Sequence, residues 1–119
     1  MSENLPFTIL IRSDPMVSHR PAEALRVAIG LSGGDAEKIN ILFMDDATAI
    51  VSEDPFDFEE GEAIEGHLEA MNEYGMRFYV EDTSFSGKHT TPETQANTIK
   101  VSLQDIAEML RRSRNVLIF

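Results

Sequence analysis

A chain of 119 residues has the length of one domain, which buries roughly two-thirds of its unfolded surface and supports a single core. Its 42% apolar and 26% charged residues are ordinary for a soluble globular protein, and the absence of cysteine excludes disulfides, thiolate-held metals and any persulfide or thioester on this chain. A formal net charge of −11 argues against direct contact with nucleic acid or an anionic membrane face, which need clustered Lys and Arg.

The opening "MSENLPFTILIRSD" has no basic segment followed by an apolar one, so no secretory signal is expected. The longest apolar runs are about five residues, against the ~20 a membrane span needs. A cytoplasmic chain without a membrane partner is the expectation. Its acidity reads as a solubilising surface, with docking of a basic partner or gathering of cations as the alternative.

"FTILIR" (7–12) is long enough for a first strand and too short for a helix. The turn "SDPMVSH" (13–19) leads to a helix with Pro21 in its first turn, an apolar stripe from Ala22 through Leu25, Ala28 and Ile29, and "GG" at 33–34 as its stop. "KINILFM" (38–44) is a second strand, apolar enough to be covered on both faces. Asp45 or Asp46 is expected to cap a short helical stretch, "ATAIV". An acidic segment, "SEDPFDFEEGE" (52–62), carries Phe56 and Phe58.

A helix over 62–74 follows, with Ile64, Leu68 and Met71 at helical spacing and Gly75 as its end. "RFYVE" (77–81) is the third strand, 82–97 a long polar loop and "TIKV" (98–101) the fourth strand. Ser102 and Asp105 have capping-box spacing ahead of a helix whose stripe is Leu103, Ile106, Ala107 and Leu110. Arg111, Arg112 and Arg114 gather at that helix's C-terminal end, where the dipole favours cations. "NVLIF" (115–119) closes a five-stranded sheet. Strands alternating with helices predict an α/β three-layer sandwich around a mostly parallel sheet, in one domain over 1–119.

In such a sheet ligands bind at the rim made by the C-terminal strand ends. The candidate binding residues are therefore Asp14 and His19 after strand 1, Asp45 and Asp46 after strand 2, and Glu81, Asp82, Phe85 and His89 after strand 3. Two unpaired carboxylates ~4 Å apart at an effective dielectric of ~20 repel by about 4 kcal/mol. Converging acids would then call for a proton or a divalent cation; acids that cap turns would not.

No catalytic residue is assigned. His67 reads as solvated on the polar face of its helix, and no HxH or HExxH spacing marks a metal site. Ser13, Ser18, Ser84 and Ser86 lack a nucleophile elbow. "GLSGGD" (30–35) ends a helix and so turns the wrong end of the dipole toward a phosphate. A phospho-receiver would need an acid pair closing strand 1 and a Lys closing strand 5; here stand Ser13-Asp14 and Phe119.

The order of elements, the opening strand followed by "DP" and a helix bearing Ala24, Leu25, Ala28 and Ile29, and the ending "IKVSLQDIAEMLRRSRNVLIF" together resemble the DsrE/DsrF-like family. These are small sulfur-relay proteins that include the subunits of the Tus and Dsr complexes. The resemblance implies that strand 3 should end on a cysteine carrying a persulfide, where this chain has Glu81 and Asp82. It further implies a companion subunit, a homo-oligomer or the partner of a cysteine-bearing homologue, with the rim and the loop 82–97 as contact surface. The reading is thus a non-catalytic binding or assembly protein. A small enzyme or metal-dependent binder using the carboxylate rim is the alternative, and no cofactor is indicated.

Overall fold

The computed structural model describes residues 5–53, 55–82 and 98–119. Five short apolar runs form strands β1 Phe7–Ile11, β2 Ile39–Phe43, β3 Phe78–Glu81, β4 Thr98–Val101 and β5 Asn115–Ile118. Every neighbouring pair is parallel, in the order β4-β3-β2-β1-β5. The register sets Ile9 beside Ile41 and Leu117, and Phe43 beside Val80. Because side chains alternate along a strand, Ile9, Ile11, Ile41, Phe43, Phe78 and Val80 share one face, all fully buried.

That face packs against α1 (Arg20–Ser32) and α3 (Gly61–Glu73), which bury Ala24, Leu25 and Ala28, and Ile64, Leu68 and Met71, respectively. Phe43 and Phe78 meet in a tilted pair, centroids 6.0 Å apart. The opposite face buries Leu10, Leu42 and Val101 under Ile106 of α4 (Leu103–Arg111). The steps from β1 to β2 and on to β3 run one way across the sheet. The return from β4 to β5 runs the other way, which right-handed crossovers resolve by placing α4 on the far face. The three-layer α/β sandwich expected from the sequence is the observed architecture.

The punctuation is local chemistry. Gly33, at φ 57°, closes α1 in the left-handed conformation, and Gly75, at φ 75°, follows α3. Ser102 Oγ accepts from Asp105 N–H while the Asp105 carboxylate accepts from Ser102 N–H, completing the capping box. Between β2 and α3 lie a 3₁₀ turn over Asp45–Thr48, the short helix α2 (Ala49–Ser52) and a second 3₁₀ turn over Pro55–Asp57.

Two expectations are corrected. Of the α4 stripe only Ile106 is buried; Leu103 is 58% exposed and Ala107 is also exposed, because α4 is the one described helix on its face and nothing described flanks it. His67 is half-buried rather than solvated, because it lies close enough to α1 to feel the charge of Arg26. Burial, and then that charge, lowers its pKa below 6.5.

Two predictions follow from packing. A Cβ on Gly61 would lie 1.9 Å from the Pro55 carbonyl oxygen, whereas one on Gly66, also in α3, meets nothing within 4 Å. Gly61→Ala is expected to destabilise the chain by about 1–3 kcal/mol and Gly66→Ala to stabilise it by about 0.5–1 kcal/mol, read as urea-unfolding free energies. For His67, the unfolded state takes up a proton at a higher pH than the folded state does. Stability is therefore lost as pH falls from the unfolded value toward the lower folded one. His67→Gln should remove that part of the acid sensitivity when urea midpoints at about pH 7.5 and about pH 5.5 are compared; an unchanged pH profile would reject the assignment.

Candidate functional site at the C-terminal strand ends

Parallel pairing brings the tips of β1, β2 and β3 to one edge of the sheet. The rim is laced by backbone bonds. Met44 N–H donates to Ile11 O at 2.9 Å, and Asp82 N–H to Val101 O at 2.9 Å. The Phe119 carbonyl accepts from Arg12 N–H at 2.7 Å and Ser13 N–H at 3.3 Å.

On this frame the structure unites some of the sequence-selected residues and separates others. Asp45 Oδ2 accepts from Arg12 Nε at 2.6 Å, in a pair whose side chains are 44% and 58% exposed. So open a pair is worth no more than ~1 kcal/mol, but it neutralises the strand 2 acid. Asp45 does not cap a helix, and neither does Asp46. Met44 is the N-cap of the 3₁₀ turn and makes no side-chain cap bond, while Asp45 sits inside the turn at φ 53°. Left-handed backbone suits Asp better than most residues, and the Asp45 carbonyl accepts from Thr48 Oγ1 at 3.0 Å.

Glu81 is only 6% exposed, and its Oε1 accepts from Asp45 N–H at the long distance of 3.5 Å. Arg12, Asp45 and Glu81 thus form the connected part of the rim. Asp14 is spent in its own turn, where Oδ1 accepts from Met16 N–H at 3.0 Å. His19 is exposed at the N-cap of α1 and makes no side-chain cap bond. Asp46 and Asp82 are exposed. Phe85 and His89 lie outside the described residues. Of the two aromatics in the acidic segment, Phe58 is buried and Phe56 is 90% exposed.

Arg12 is the rim residue that a search for acids passes over. It directly follows the apolar run of strand 1, so its place at the rim was readable from its position; its pairing with Asp45 was not. Arg20 is a second such cation, its guanidinium 5.8 Å from the centre of the Phe119 ring. Among the described residues no group of three or more His, Asp or Glu is placed to hold a metal ion. The rim can accept and donate hydrogen bonds and present charge; nothing described in it pairs a nucleophile with a base.

No protein-family model and no curated protein sequence matches the chain. Among solved structures it is similar to the YchN protein of E. coli, with a TM-score of 0.77 over 97% of this chain and 99% of that one, at 19% sequence identity. YchN is a DsrE/DsrF-like fold protein, and the likeness is one of architecture along nearly the full length of both chains. The chain has the DsrE/DsrF-like α/β fold.

Proposed function

We propose that this chain is a non-catalytic binding or assembly subunit, a companion in intracellular sulfur relay that acts in the cytoplasm as a homo-oligomer or beside a cysteine-bearing homologue. The observation that carries the reading is Glu81, a buried carboxylate at the end of β3, in a chain with no thiol. The family resemblance puts a persulfide-bearing cysteine at that strand end. Transferable sulfur requires a thiolate to hold it, and a carboxylate oxygen cannot take its place. Sulfur chemistry at this rim would therefore need a cysteine from another chain. Exposed apolar side chains beside the rim, Leu103 just after β4 and Ile118 at the end of β5, at 58% and 59%, supply contact area for such an assembly.

Sedimentation velocity and native mass measurement at micromolar concentration should find a dimer, trimer or hexamer, or a stable complex with a cysteine-bearing homologue. A strict monomer that retains no partner from its native cell extract rejects the reading. The rim acids supply a further check. With Asp45 held by Arg12 and Asp14 in its own turn, Mg²⁺ and Mn²⁺ should leave the melting temperature unchanged. A bound metal at 100 times its dissociation constant would instead add about 2.7 kcal/mol. A rise that Asp45→Asn with Asp82→Asn abolishes would replace assembly with metal binding as the role of the rim.

A further inference from the structure

The two edges of the sheet differ. β4 carries an exposed Lys100, the kind of charge that discourages strand addition. In β5 and in Phe119 after it no side chain is charged, and the strand has no proline and no bulge and leaves Leu117 38% and Ile118 59% exposed. Phe119 exchanges bonds with β1 through Leu10 O and Arg12 N–H, and Leu117 lies opposite Ile9. In a parallel ladder this alternation turns the peptide groups of Val116 and Ile118 to the open side, where among the described residues only Arg20 Nη2 reaches the Ile118 carbonyl, at 3.4 Å. An uncharged apolar edge of this kind is a pairing surface unless something covers it.

Charge narrows what covers it. Arg20 stands over Phe119 at one end of β5, and Arg114 lies over Phe7 at the other. Arg111 and Arg112 share the single carboxylate of Glu108. This side of the molecule is locally positive in a chain of net charge −11. Antiparallel pairing of β5 with β5 of a second copy would set Arg114 of one beside Arg20 of the other, so like charge opposes it. The complementary surface is on the same chain. Phe56, 90% exposed, stands among Asp57, Glu59, Glu60, Glu62 and Glu65, all exposed and none ion-paired among the described residues. A groove of about 510 Å³ beside it is lined by Pro55, Phe56, Phe58, Gly61, Glu62 and Glu65, so it joins apolar surface to carboxylates.

We propose that the β5 edge is the docking surface for a second copy of this chain, which presents its acidic segment around Phe56 to it, head to tail. This rests on the assembly reading above and names its partner and geometry. A head-to-tail contact joins two different patches, and copies repeat it until a ring closes. Opposite charge steers and registers the contact, while Leu117, Ile118 and Phe56 supply its apolar anchors.

The test uses full-length chains altered at one patch each, Ile118→Asp and Phe56→Asp. Both sites are exposed, and circular dichroism checks that each variant folds. Each alone is expected to be monomeric by light scattering. Their equimolar mixture should form a dimer that grows no further, since only one intact pair of patches remains. Arg114→Glu, which leaves the apolar anchors in place, should raise the dissociation constant ~10-fold or more, and added salt should weaken the unaltered assembly. An oligomer that survives Phe56→Asp, or variants that do not combine when mixed, overturns the head-to-tail contact and leaves assembly by another surface standing. An unaltered chain found only with a different protein does the same. A monomer with no partner at all removes both.

Discussion

β1 is paired on both sides, with β2 and with β5, and the rest of the molecule depends on that double pairing. Its residues Ile9 and Ile11 reach zero exposure on one face and Leu10 is 6% exposed on the other, so the strand is the hydrophobic seam between the two helical layers. Parallel ladders are long-range by construction: β1 must find β5 from the far end of the chain. The same pairing builds the rim, because Phe119 O collects the Arg12 and Ser13 amides. Arg12 in turn is delivered to Asp45 only because β1 and β2 advance in register, Ile11 beside Phe43. A slip of one residue would exchange the two buried faces of β1, setting Thr8 and Leu10 where Ile9 and Ile11 pack, and also break the Arg12–Asp45 pair.

What could be read in advance was whatever local chemistry decides. The five strands, the glycine stops after α1 and α3 and the capping box at Ser102 each follow from a few adjacent residues. What could not be read was decided by neighbours distant in sequence. Phe56 and Phe58 share an acidic loop and differ by two positions, yet one is exposed and the other buried, because the chain direction into α3 turns only Phe58 onto the core. Leu103 and Ala107 fit a helical stripe, but a stripe is buried only where another element lies beside it. His67 has a polar sequence neighbourhood and is half-buried all the same, because α1 passes beside α3. At the candidate site the order of strands placed the acids on one edge, as the spacing of elements requires, while the partner each acid takes depends on backbone angles such as φ 53° at Asp45.

The rim also shows why counting carboxylates overstates the negative field of a strand-end cluster. Asp45 lies against a guanidinium, Asp14 closes its own turn and Glu81 is turned inward toward an amide. Asp46 and Asp82 keep exposed charge at the rim, and a larger run of it lies on the segment entering α3 and along its outer face, where Glu62, Glu65, Glu69 and Glu73 are exposed in successive turns. Like charges at that spacing repel within the helix, and the buried stripe of Ile64, Leu68 and Met71 must hold α3 against that repulsion. The exposed cations lie largely elsewhere, around β5 and the end of α4. A chain with net charge −11 is therefore not uniformly acidic. Over a Debye length of about 8 Å at physiological ionic strength a partner responds to the nearest patch rather than to the total. Segregation of this kind lets a strongly acidic protein approach another copy of itself, which its net charge alone would disfavour.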